Sequence, residues 1–241
     1  MNSSRSQNFI SVIIPAYNEE ASLPKVLGDL PRSVIHEIIV VDNASTDKTA
    51  AIARELGCRV VPEPRRGYGR ACLAGIGALD PQTEIVVFID GDHSDHGERL
   101  EQIVEPIIVE GYDFVIGSRA LGVREPGAMT PQAYYGNKLA CFLMRLFWNT
   151  SYTDLGPFRA ITFRGLKELQ MSDQDFGWTI EMQIKAMEHN LTVKEVPVDY
   201  RRRIGRSKIS GTVKGTVLAG AKILGTIFKY RFLRKKKRKD K

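Results

Sequence analysis

Residues 84–92 read EIVVFIDGD, an apolar and largely β-branched run that ends in two aspartates one residue apart. A short run of this composition is typical of a strand buried on both faces of a sheet. Because alternate side chains of an extended segment point the same way, Asp90 and Asp92 can converge on one point. Mg²⁺ and Mn²⁺ prefer oxygen ligands and often share them with substrate phosphates. The stretch therefore predicts a strand whose end can hold a divalent cation, although paired acids are also common in solvated turns.

The N-terminal half of the chain alternates strand and helix patterns on either side of this stretch. Nearly all-apolar strands are predicted at residues 9–14, 37–41, 59–61, 84–89 and 113–116. Helices, in which apolar residues recur at spacings of three and four, are predicted at residues 20–30, 46–56 and 68–79. Buried strands separated by amphipathic helices indicate an α/β fold with a mainly parallel central sheet. The length of 241 residues suits one such domain.

Polar segments follow three of the predicted strands. They are PAYNEE at residues 15–20, DNASTD at residues 42–47 and DGD at residues 90–92. In open α/β sheets, ligands bind at the carboxyl ends of the strands, so these segments predict a single site. A dinucleotide site would need G-x-G-x-x-G directly after the first strand, and a P-loop would need G-x-x-x-x-G-K; neither is present, which argues against both.

Charge is distributed unevenly along the chain. The net charge is +7, but residues 201–241 contain sixteen Lys and Arg against one acid, Asp240, so the preceding residues have a net charge of −8. A basic C-terminal arm on an acidic body predicts an anionic partner, either an anionic membrane surface or nucleic acid. The aromatic and glycine-rich motifs of RNA-binding proteins are absent, so we expect no nucleic-acid partner.

The cysteines and the N-terminal sequence indicate the cellular compartment of the protein. Cys58, Cys72 and Cys141 stand far apart without metal-binding spacing, which predicts neither a disulfide framework nor a zinc site. The sequence MNSSRSQNF lacks the apolar stretch of a secretory signal peptide. We therefore expect a catalytic body in the cytoplasm.

Residues 211–241 predict an amphipathic helix, at residues 211–232, and a basic tail that together associate with a membrane surface. At 100° per residue, Val213, Val217, Leu224, Ile227 and Phe228 share one side, while the lysines gather on another. Spanning the bilayer would bury Lys222 near the midplane at a cost of roughly 2.5 to 3.5 kcal/mol, so a surface helix is favoured. The basic run RKKKRK at residues 234–239 adds attraction to anionic lipid. The alternative is a helix that packs on the body or on another subunit.

Three segments in a fixed order carry a family resemblance. SVIIPAYNEE (residues 11–20), IIVVDNASTDKT (residues 38–49) and FIDGDHSD (residues 88–95) resemble the family-2 glycosyltransferases of the A-type nucleotide-sugar fold, GT-A. Later blocks are similar to the dolichol- or polyprenyl-phosphate mannosyl- and glucosyltransferase branch: GSR (117–119), DLGPFRA (154–160), GWTIEMQIKA (177–186) and RRIGRSK (202–208). The resemblance covers residues 9–210 and implies a catalytic domain at residues 1–210. It also implies metal-dependent, inverting transfer of a hexose from a UDP- or GDP-sugar to a lipid phosphate.

The resemblance assigns roles to matching positions. Asp92 would coordinate Mg²⁺ or Mn²⁺ directly, with Asp90 beside it as a metal ligand or nucleoside contact. The implied donor contacts are Pro15, Tyr17, Glu19, Asp42, Arg70, Asp90, Arg202 and Lys208. Asp42 can also form an Asx-turn before the helix predicted at Thr46.

The sequence departs from the branch at two places. Ser94 stands where the branch commonly has a metal-contacting Gln, which leaves water or Asp95 to complete the coordination. Residues 130–137, TPQAYYGN, lack an Arg that often contacts the acceptor phosphate. Arg119, Arg124 and Lys138 are the basic residues left for that role.

Two further acids, Glu181 and Asp154, do not decide which class of acceptor the enzyme uses. Glu181 is either the general base of an enzyme that glycosylates a lipid or glycan hydroxyl, or a residue that lines the pocket, because a phosphate acceptor needs no base. Asp154 is either an acceptor-side acid or a structural hydrogen-bond acceptor. A non-catalytic adaptor that binds nucleotides or polyanions is a third possibility, and a membrane-anchored partner subunit or a homo-oligomer is compatible with each.

Overall fold

The computed structural model describes residues 8–205 and 213–239 of the chain. It contains one seven-stranded sheet. The strands are β1 (Ile10–Ala16), β2 (Glu37–Asp42), β3 (Arg59–Pro62), β4 (Ile85–Phe88), β5 (Phe114–Ser118), β6 (Arg159–Thr162) and β7 (Val193–Pro197). The helices are α1 (Leu23–Asp29), α2 (Thr49–Glu55), α3 (Tyr68–Gly77), α4 (Leu100–Glu110), α5 (Pro131–Trp148), α6 (Phe163–Leu169), α7 (Trp178–Glu188) and α8 (Val213–Lys239).

The strand order is β3-β2-β1-β4-β6-β5-β7. Only β6 runs antiparallel to its neighbours, β4 and β5, and the other pairs in the sheet are parallel. The predicted α/β fold with a mainly parallel sheet is therefore confirmed. The register pairs Ala16 with Asp42 and Ile13 with Phe88, so the segments after β1, β2 and β4 emerge at one edge of the sheet.

The sheet is buried on both faces because alternate residues of each strand enter different cores. On β1, Ile13 packs with Phe88 and Trp178 on the side of α3, α5 and α7. Val12 packs on the opposite side, with α1 and α4. Gly75 lets α3 approach β1 closely, since a Cβ there would lie 2.6 Å from Cγ2 of Ile13.

The predicted C-terminal helix is present as α8, and it packs on the body of the protein. Ile227 is fully buried in the core on the α5 and α7 side of the sheet, with Ile223, Leu224 and Tyr230 packed around it. Val217 and Phe228, which the helical pattern places on the same side as Ile227, are exposed. The expected single apolar face is therefore divided between the core and the surface. None of the helices within the described ranges combines the length and apolarity that crossing a membrane requires.

Candidate active site

A cavity of about 450 Å³ opens at the carboxyl edge of β1 and β4. Its wall combines residues from all the segments that follow these strands with residues from distant loops. The lining residues are Pro15, Ala16, Tyr17, Glu19, Asn43, Arg66, Gly67, Tyr68, Ala71, Asp90, Gly91, Asp92, Asp175, Phe176, Tyr200 and Arg203. The structure thus brings together Pro15, Tyr17, Glu19, Asp90 and Asp92 in one place.

Asp90 and Asp92 enter this cavity from the end of β4. Oδ1 of Asp90 accepts a 3.0 Å hydrogen bond from the Tyr68 hydroxyl. Oδ1 of Asp92 accepts bonds from the backbone N–H and hydroxyl of Ser94, at 2.9 and 2.5 Å, and Oδ2 pairs with Arg203. Burial and then the charge of Asp92 raise the pKa of Asp90 to about 6, while Tyr68 and Arg203 oppose the rise.

An extended segment holds the acidic loop from the other side. The N–H groups of Arg201 and Ile204 donate to the carbonyls of Ser94 and Asp92, at 3.0 and 2.9 Å. From this segment Arg203 reaches Asp92, while Arg202 turns away. The side chain of Arg202 instead donates to the carbonyl of Pro126 at 2.6 Å. Arg202 therefore lies outside the cavity, and Lys208 lies outside the described residues.

Asp95 is a buried acid behind this pair. Neither of its carboxylate oxygens has a hydrogen-bond partner within the described part of the chain. Burial, followed by the negative charge of Asp90, raises its pKa well above the usual range, and Arg119 opposes the rise. Asp90, Asp92 and Asp95 therefore place three carboxyl groups close together next to the cavity, with Arg203 as the counter-charge at Asp92.

This arrangement fits a divalent cation that takes only part of its coordination from the protein. In the described ranges, no group of three His, Cys, Asp or Glu side chains is close enough to hold a metal alone. Mg²⁺ and Mn²⁺ sites built on one or two carboxylates usually complete their coordination with substrate phosphates and water. Asp90 and Asp92 present such a donor set to a cavity with room for a diphosphate.

Loops from β2 and β3 form the side of the cavity that faces Tyr17 and Glu19. The amide of Asn43 donates to the carbonyls of Glu63 and Arg65, at 3.1 and 2.8 Å, and accepts from the N–H of Gly67 at 2.9 Å. These bonds fix the loop that places the Arg66 guanidinium 3.3 Å from the centroid of the Tyr17 ring. Tyr17 and Arg66 together present a flat, cationic surface to the cavity.

Asp42 and Arg70 do not line the cavity in this structure. Oδ1 of Asp42 accepts a 3.1 Å bond from the N–H of Ser45, three residues on, whereas an Asx-turn joins residues two apart. The backbone N–H of Arg70 donates to the carbonyl of Gln174 at 3.0 Å. A Cβ on Gly69 would lie 2.8 Å from the Asp175 nitrogen, so glycine permits the loop containing Asp175 to pack on α3.

Glu181 supports that same loop from behind. Its carboxylate accepts bonds from the Ser172 hydroxyl, the Asp173 N–H and the Tyr230 hydroxyl, each at 2.7 Å, and pairs with Lys185 at 2.8 Å. Burial alone would raise the pKa of Glu181, but these hydrogen bonds, led by that of Lys185, lower it to about 2. Glu181 is buried and does not line the cavity.

Arg119 and Asp154 form a buried ion pair beside Tyr200. The guanidinium donates twice to the carboxylate, at 2.7 and 2.8 Å, and the backbone N–H of Arg119 donates to it at 2.8 Å. Burial would raise the pKa of Asp154, but the pairing with Arg119 lowers it. The guanidinium lies 5.0 Å from the centroid of the Tyr200 ring, which lines the cavity.

A separate pocket of about 510 Å³ is lined by Arg124, Glu125, Tyr134 and Tyr135 near the start of α5. Lys138 does not line it but lies beside Tyr134, so two cations against one acid make this region weakly basic. The Arg124 guanidinium and the Lys138 ammonium lie 4.9 and 4.5 Å from the centroid of the Tyr134 ring. The hydrogen bond from Lys138 lowers the pKa of Tyr134. The backbone of Arg124 pairs with that of Tyr200, so Tyr200 separates this basic pocket from the acidic cavity.

The family model for glycosyl transferase family 2 matches residues 11–169 of the chain. The chain is a member of that family. An uncharacterized glycosyltransferase of Mycobacterium tuberculosis is 35% identical over 214 residues, which cover 87% of this chain and 94% of the relative. A dolichyl-phosphate hexose transferase of Haloferax volcanii is 30% identical over 87% of this chain and 90% of the relative. An undecaprenyl-phosphate mannosyltransferase of Micrococcus luteus is 28% identical over 93% and 97%.

Solved structures agree with the family-2 fold. Glucosyl-3-phosphoglycerate synthase from Mycobacterium tuberculosis, in complex with phosphoglyceric acid, matches with a TM-score of 0.76 and 24% identity, over 92% of this chain and 79% of the other. The same synthase in complex with Mn²⁺, UDP and glucosyl-3-phosphoglycerate matches with a TM-score of 0.75 and 23% identity over the same shares. The protein is thus a glycosyltransferase with a mixed α/β, GT-A-like architecture.

Several residues of the glycosyltransferase cavity were not predicted from the sequence. Arg66, Tyr68, Asp175, Phe176, Tyr200 and Arg203 belong to this group, whereas Asn43 lies in the DNASTD segment that the sequence places at the site. Arg203 lies within the RRIGRSK block, so the block was identified but the position within it was not. Asp175 and Phe176 come directly before the GWTIEMQIKA block, and their position is set by long-range packing that no local pattern reveals.

Proposed function

We propose that this glycosyltransferase moves a hexose from a UDP- or GDP-sugar to a polyprenyl or dolichyl phosphate, with inversion at the anomeric carbon and with Mg²⁺ or Mn²⁺ as cofactor. The observation that carries the proposal is the adjacency of two sites of opposite charge. An acidic cavity suited to a metal and a diphosphate lies next to a basic pocket suited to a phosphate, with Tyr200 between them.

The donor would occupy the acidic cavity. Asp90 and Asp92 would hold the cation, which neutralises charge on the departing nucleoside diphosphate. Tyr17, Glu19 and Arg66 line the part of the cavity available to the nucleoside, where a carboxylate can accept bonds from ribose hydroxyls. When the Arg203 side chain leaves Asp92, it can reach the diphosphate of the donor. Arg203 then takes the role that the sequence suggests for Arg202.

The acceptor phosphate would enter from the basic pocket. Arg124 and Lys138 supply donors there, and Tyr134 positions both of them. A phosphate monoester is already an anionic nucleophile, so the transfer needs no enzymatic base. Arg119 is fixed by Asp154 and would contribute its remaining side-chain N–H groups and its charge. Asp154 acts as the structural partner of Arg119 rather than as an acid.

The geometry of Glu181 favours this acceptor over a hydroxyl. A general base works best with a pKa near the operating pH, whereas the pKa of Glu181 is about 2. Its carboxylate is also saturated with donors behind the cavity wall. Relatives described as a dolichyl-phosphate hexose transferase and an undecaprenyl-phosphate mannosyltransferase support the same acceptor class. The neighbouring synthase complex with Mn²⁺ and UDP supports a uridine donor and a divalent cation.

A lipid-phosphate acceptor requires the enzyme at a membrane. We assign it a peripheral position on the cytoplasmic face, with residues 1–210 as the catalytic domain and residues 211–241 as the membrane-associated segment. The basic sequence after residue 233 supports an anionic surface as the partner.

The test is a transfer assay with UDP- and GDP-hexoses, Mn²⁺ or Mg²⁺, and two acceptors, polyprenyl phosphate and the unphosphorylated alcohol. We expect transfer to the phosphate alone and its loss in EDTA. Transfer to the alcohol that collapses in Glu181→Gln would instead establish the hydroxyl acceptor. Nucleotide binding without turnover of any sugar nucleotide would indicate a non-catalytic adaptor that only binds nucleotides.

A further inference from the structure

The outer side of α5 is apolar although its inner side already packs in the core. Tyr135, Leu139, Phe142 and Leu146 are exposed, and their spacing of four, three and four residues places them in one stripe along the helix. The opposite side is buried through Ala140, Cys141, Met144 and Trp148. A helix that only covered the core would be polar on its outer side.

The same division occurs on α8. Val217, Leu218, Phe228 and Phe232 are exposed, while Ile223, Leu224, Ile227 and Tyr230 face the core. At 100° per residue, the four exposed side chains fall within a sector of about 100°. Both helices therefore present apolar side chains to the protein on one side and to the surroundings on the other.

The two stripes form one surface, which we name the α5–α8 face. Its residues are Tyr135, Leu139, Phe142, Leu146, Val217, Leu218, Phe228 and Phe232. The rings of Phe147 and Phe228 pack at 5.9 Å between centroids, which joins the helices along their shared edge. Contiguous exposed apolar surfaces of this kind mark interaction sites.

The charge of the two helices selects the partner. Neither residues 131–148 nor residues 213–239 contain an Asp or Glu, and together they carry twelve Lys and Arg. A second copy docked through the same face would bring these like charges together. Helices that combine exposed apolar side chains with basic residues and contain no Asp or Glu match the boundary between acyl chains and anionic headgroups.

We infer that the α5–α8 face inserts into the interface of an anionic bilayer, with α5 supplying as much of the contact as α8. The inference rests on the proposed function, because the proposed lipid acceptor lies in a bilayer. Tyr135 belongs to the face and also lines the basic pocket of Arg124 and Tyr134, so the face would bring that pocket to the headgroups.

The first experiment measures binding of the full chain to vesicles that contain no acceptor lipid. The variant Leu139→Gln/Phe142→Gln/Leu146→Gln removes the α5 stripe and leaves α8 intact. We expect its partition coefficient on phosphatidylglycerol-containing vesicles to fall by about tenfold or more, because three side chains lose apolar burial. Val109→Gln, which alters an exposed residue of α4 on the other side of the sheet, should bind like the wild type.

A second measurement does not depend on the triple variant folding. An environment-sensitive dye on Phe142→Cys should shift to the blue with anionic vesicles, and the same dye on Val109→Cys should not. The three native cysteines are buried, which favours selective labelling. Vesicles of phosphatidylcholine alone should bind more weakly in every case.

The inference is overturned if the triple variant binds like the wild type or if the label at position 142 stays in water with vesicles. It is also overturned if, without vesicles, sedimentation shows a dimer and the emission of the label is already shifted to the blue. The two proposals can fail independently. Transfer to polyprenyl phosphate in detergent without vesicle binding would refute the membrane face alone. Vesicle binding without transfer would refute the lipid acceptor alone.

Discussion

The Tyr230 hydroxyl donates a 2.7 Å hydrogen bond to the carboxylate of Glu181, which joins α8 to the wall of the donor cavity. Glu181 also accepts bonds from Ser172 and Asp173, and the loop that they begin continues to Asp175 and Phe176 in the cavity. Lys222 of α8 adds an ion pair with Asp173 at 2.9 Å. The position of α8 and the shape of the cavity are therefore linked through one short loop.

Glu181→Gln should reduce stability far more than catalysis. The pKa of Glu181 falls from 4.5 to about 2 on folding, so the unfolded state binds a proton first as the pH drops. The stabilisation is thus present above about pH 4.5 and is lost as the pH falls towards 2; it is on the order of 3 kcal/mol. Urea unfolding from neutral to acidic pH should show a steeper loss for the wild type than for the variant.

The matched control for Glu181 is Tyr230→Phe. It removes one donor and leaves the carboxylate charged, so we expect a loss of about 1 kcal/mol at neutral pH. Transfer by the folded fraction of both variants should stay within about threefold of the wild type. If turnover instead drops by about a hundredfold or more in Glu181→Gln alone, the carboxylate acts as a base.

Arg203→Ala and Arg202→Ala should differ sharply although the residues are neighbours. Arg203 faces Asp92 in the cavity, whereas Arg202 binds the carbonyl of Pro126 at the surface. Losing a charge-assisted phosphate contact should raise the donor KM and lower kcat/KM by about tenfold or more in Arg203→Ala. Steady-state kinetics with the sugar nucleotide tests this, and equal losses in the two variants would remove Arg203 from the donor site.

Asp92→Asn should abolish transfer and preserve the fold. The amide keeps the shape of the side chain and can still accept from Ser94, but it is a poor ligand for a hard cation. Calorimetry should show Mn²⁺-dependent tightening of nucleoside diphosphate binding in the wild type and none in the variant. Normal turnover by Asp92→Asn in chelator-treated buffer would contradict the assignment.

Mn²⁺ affinity should fall as the pH drops below about 6. Burial and the charge of Asp92 raise the pKa of Asp90 to about 6, so below that pH the cation must displace a proton. We expect the affinity measured by Mn²⁺ electron paramagnetic resonance to decrease by about tenfold per pH unit there. Asp90→Asn should bind Mn²⁺ more weakly and without this dependence.

Arg119→Met should destabilise the folded protein, and this loss of stability should mask any effect on acceptor binding. Its removal leaves Asp154 buried without a counter-charge, at a cost of about 3 to 5 kcal/mol. The double variant Arg119→Met/Asp154→Leu should recover most of that loss, since no charge is then stranded. Chemical denaturation of the two single variants and the double variant measures the coupling, and additive losses would show that the pair is unimportant.

The sequence predicts the parallel part of the fold well because β1, β2 and β4 are continuous apolar runs. It did not reveal β6, whose sequence, RAIT, is short and begins with a buried Arg. Arg159 fits there because its guanidinium donates to the carbonyl of Gly156, three residues away, and to that of Thr179, which the tertiary fold brings close. Composition alone gives no sign of such a strand.

The site was predictable where residues follow strands and less so where they arrive from elsewhere. Asp90 and Asp92 lie in the cavity because the parallel register fixes where β4 ends. Whether Arg202 or Arg203 faces inward depends on how residues 200–204 pair with residues 92–95, which is a long-range contact. For α8, helical periodicity located apolar residues but could not show that the helix is apolar on two sides.

The burial of Ile227 ties the order of synthesis to the assembly of the enzyme. Since α8 follows every other element along the chain, the core on its side of the sheet stays open until this helix has been made. A nascent chain that ends before α8 would lack Ile227 and leave part of that apolar core facing water, and exposed apolar surface of this kind makes incompletely folded chains prone to aggregate.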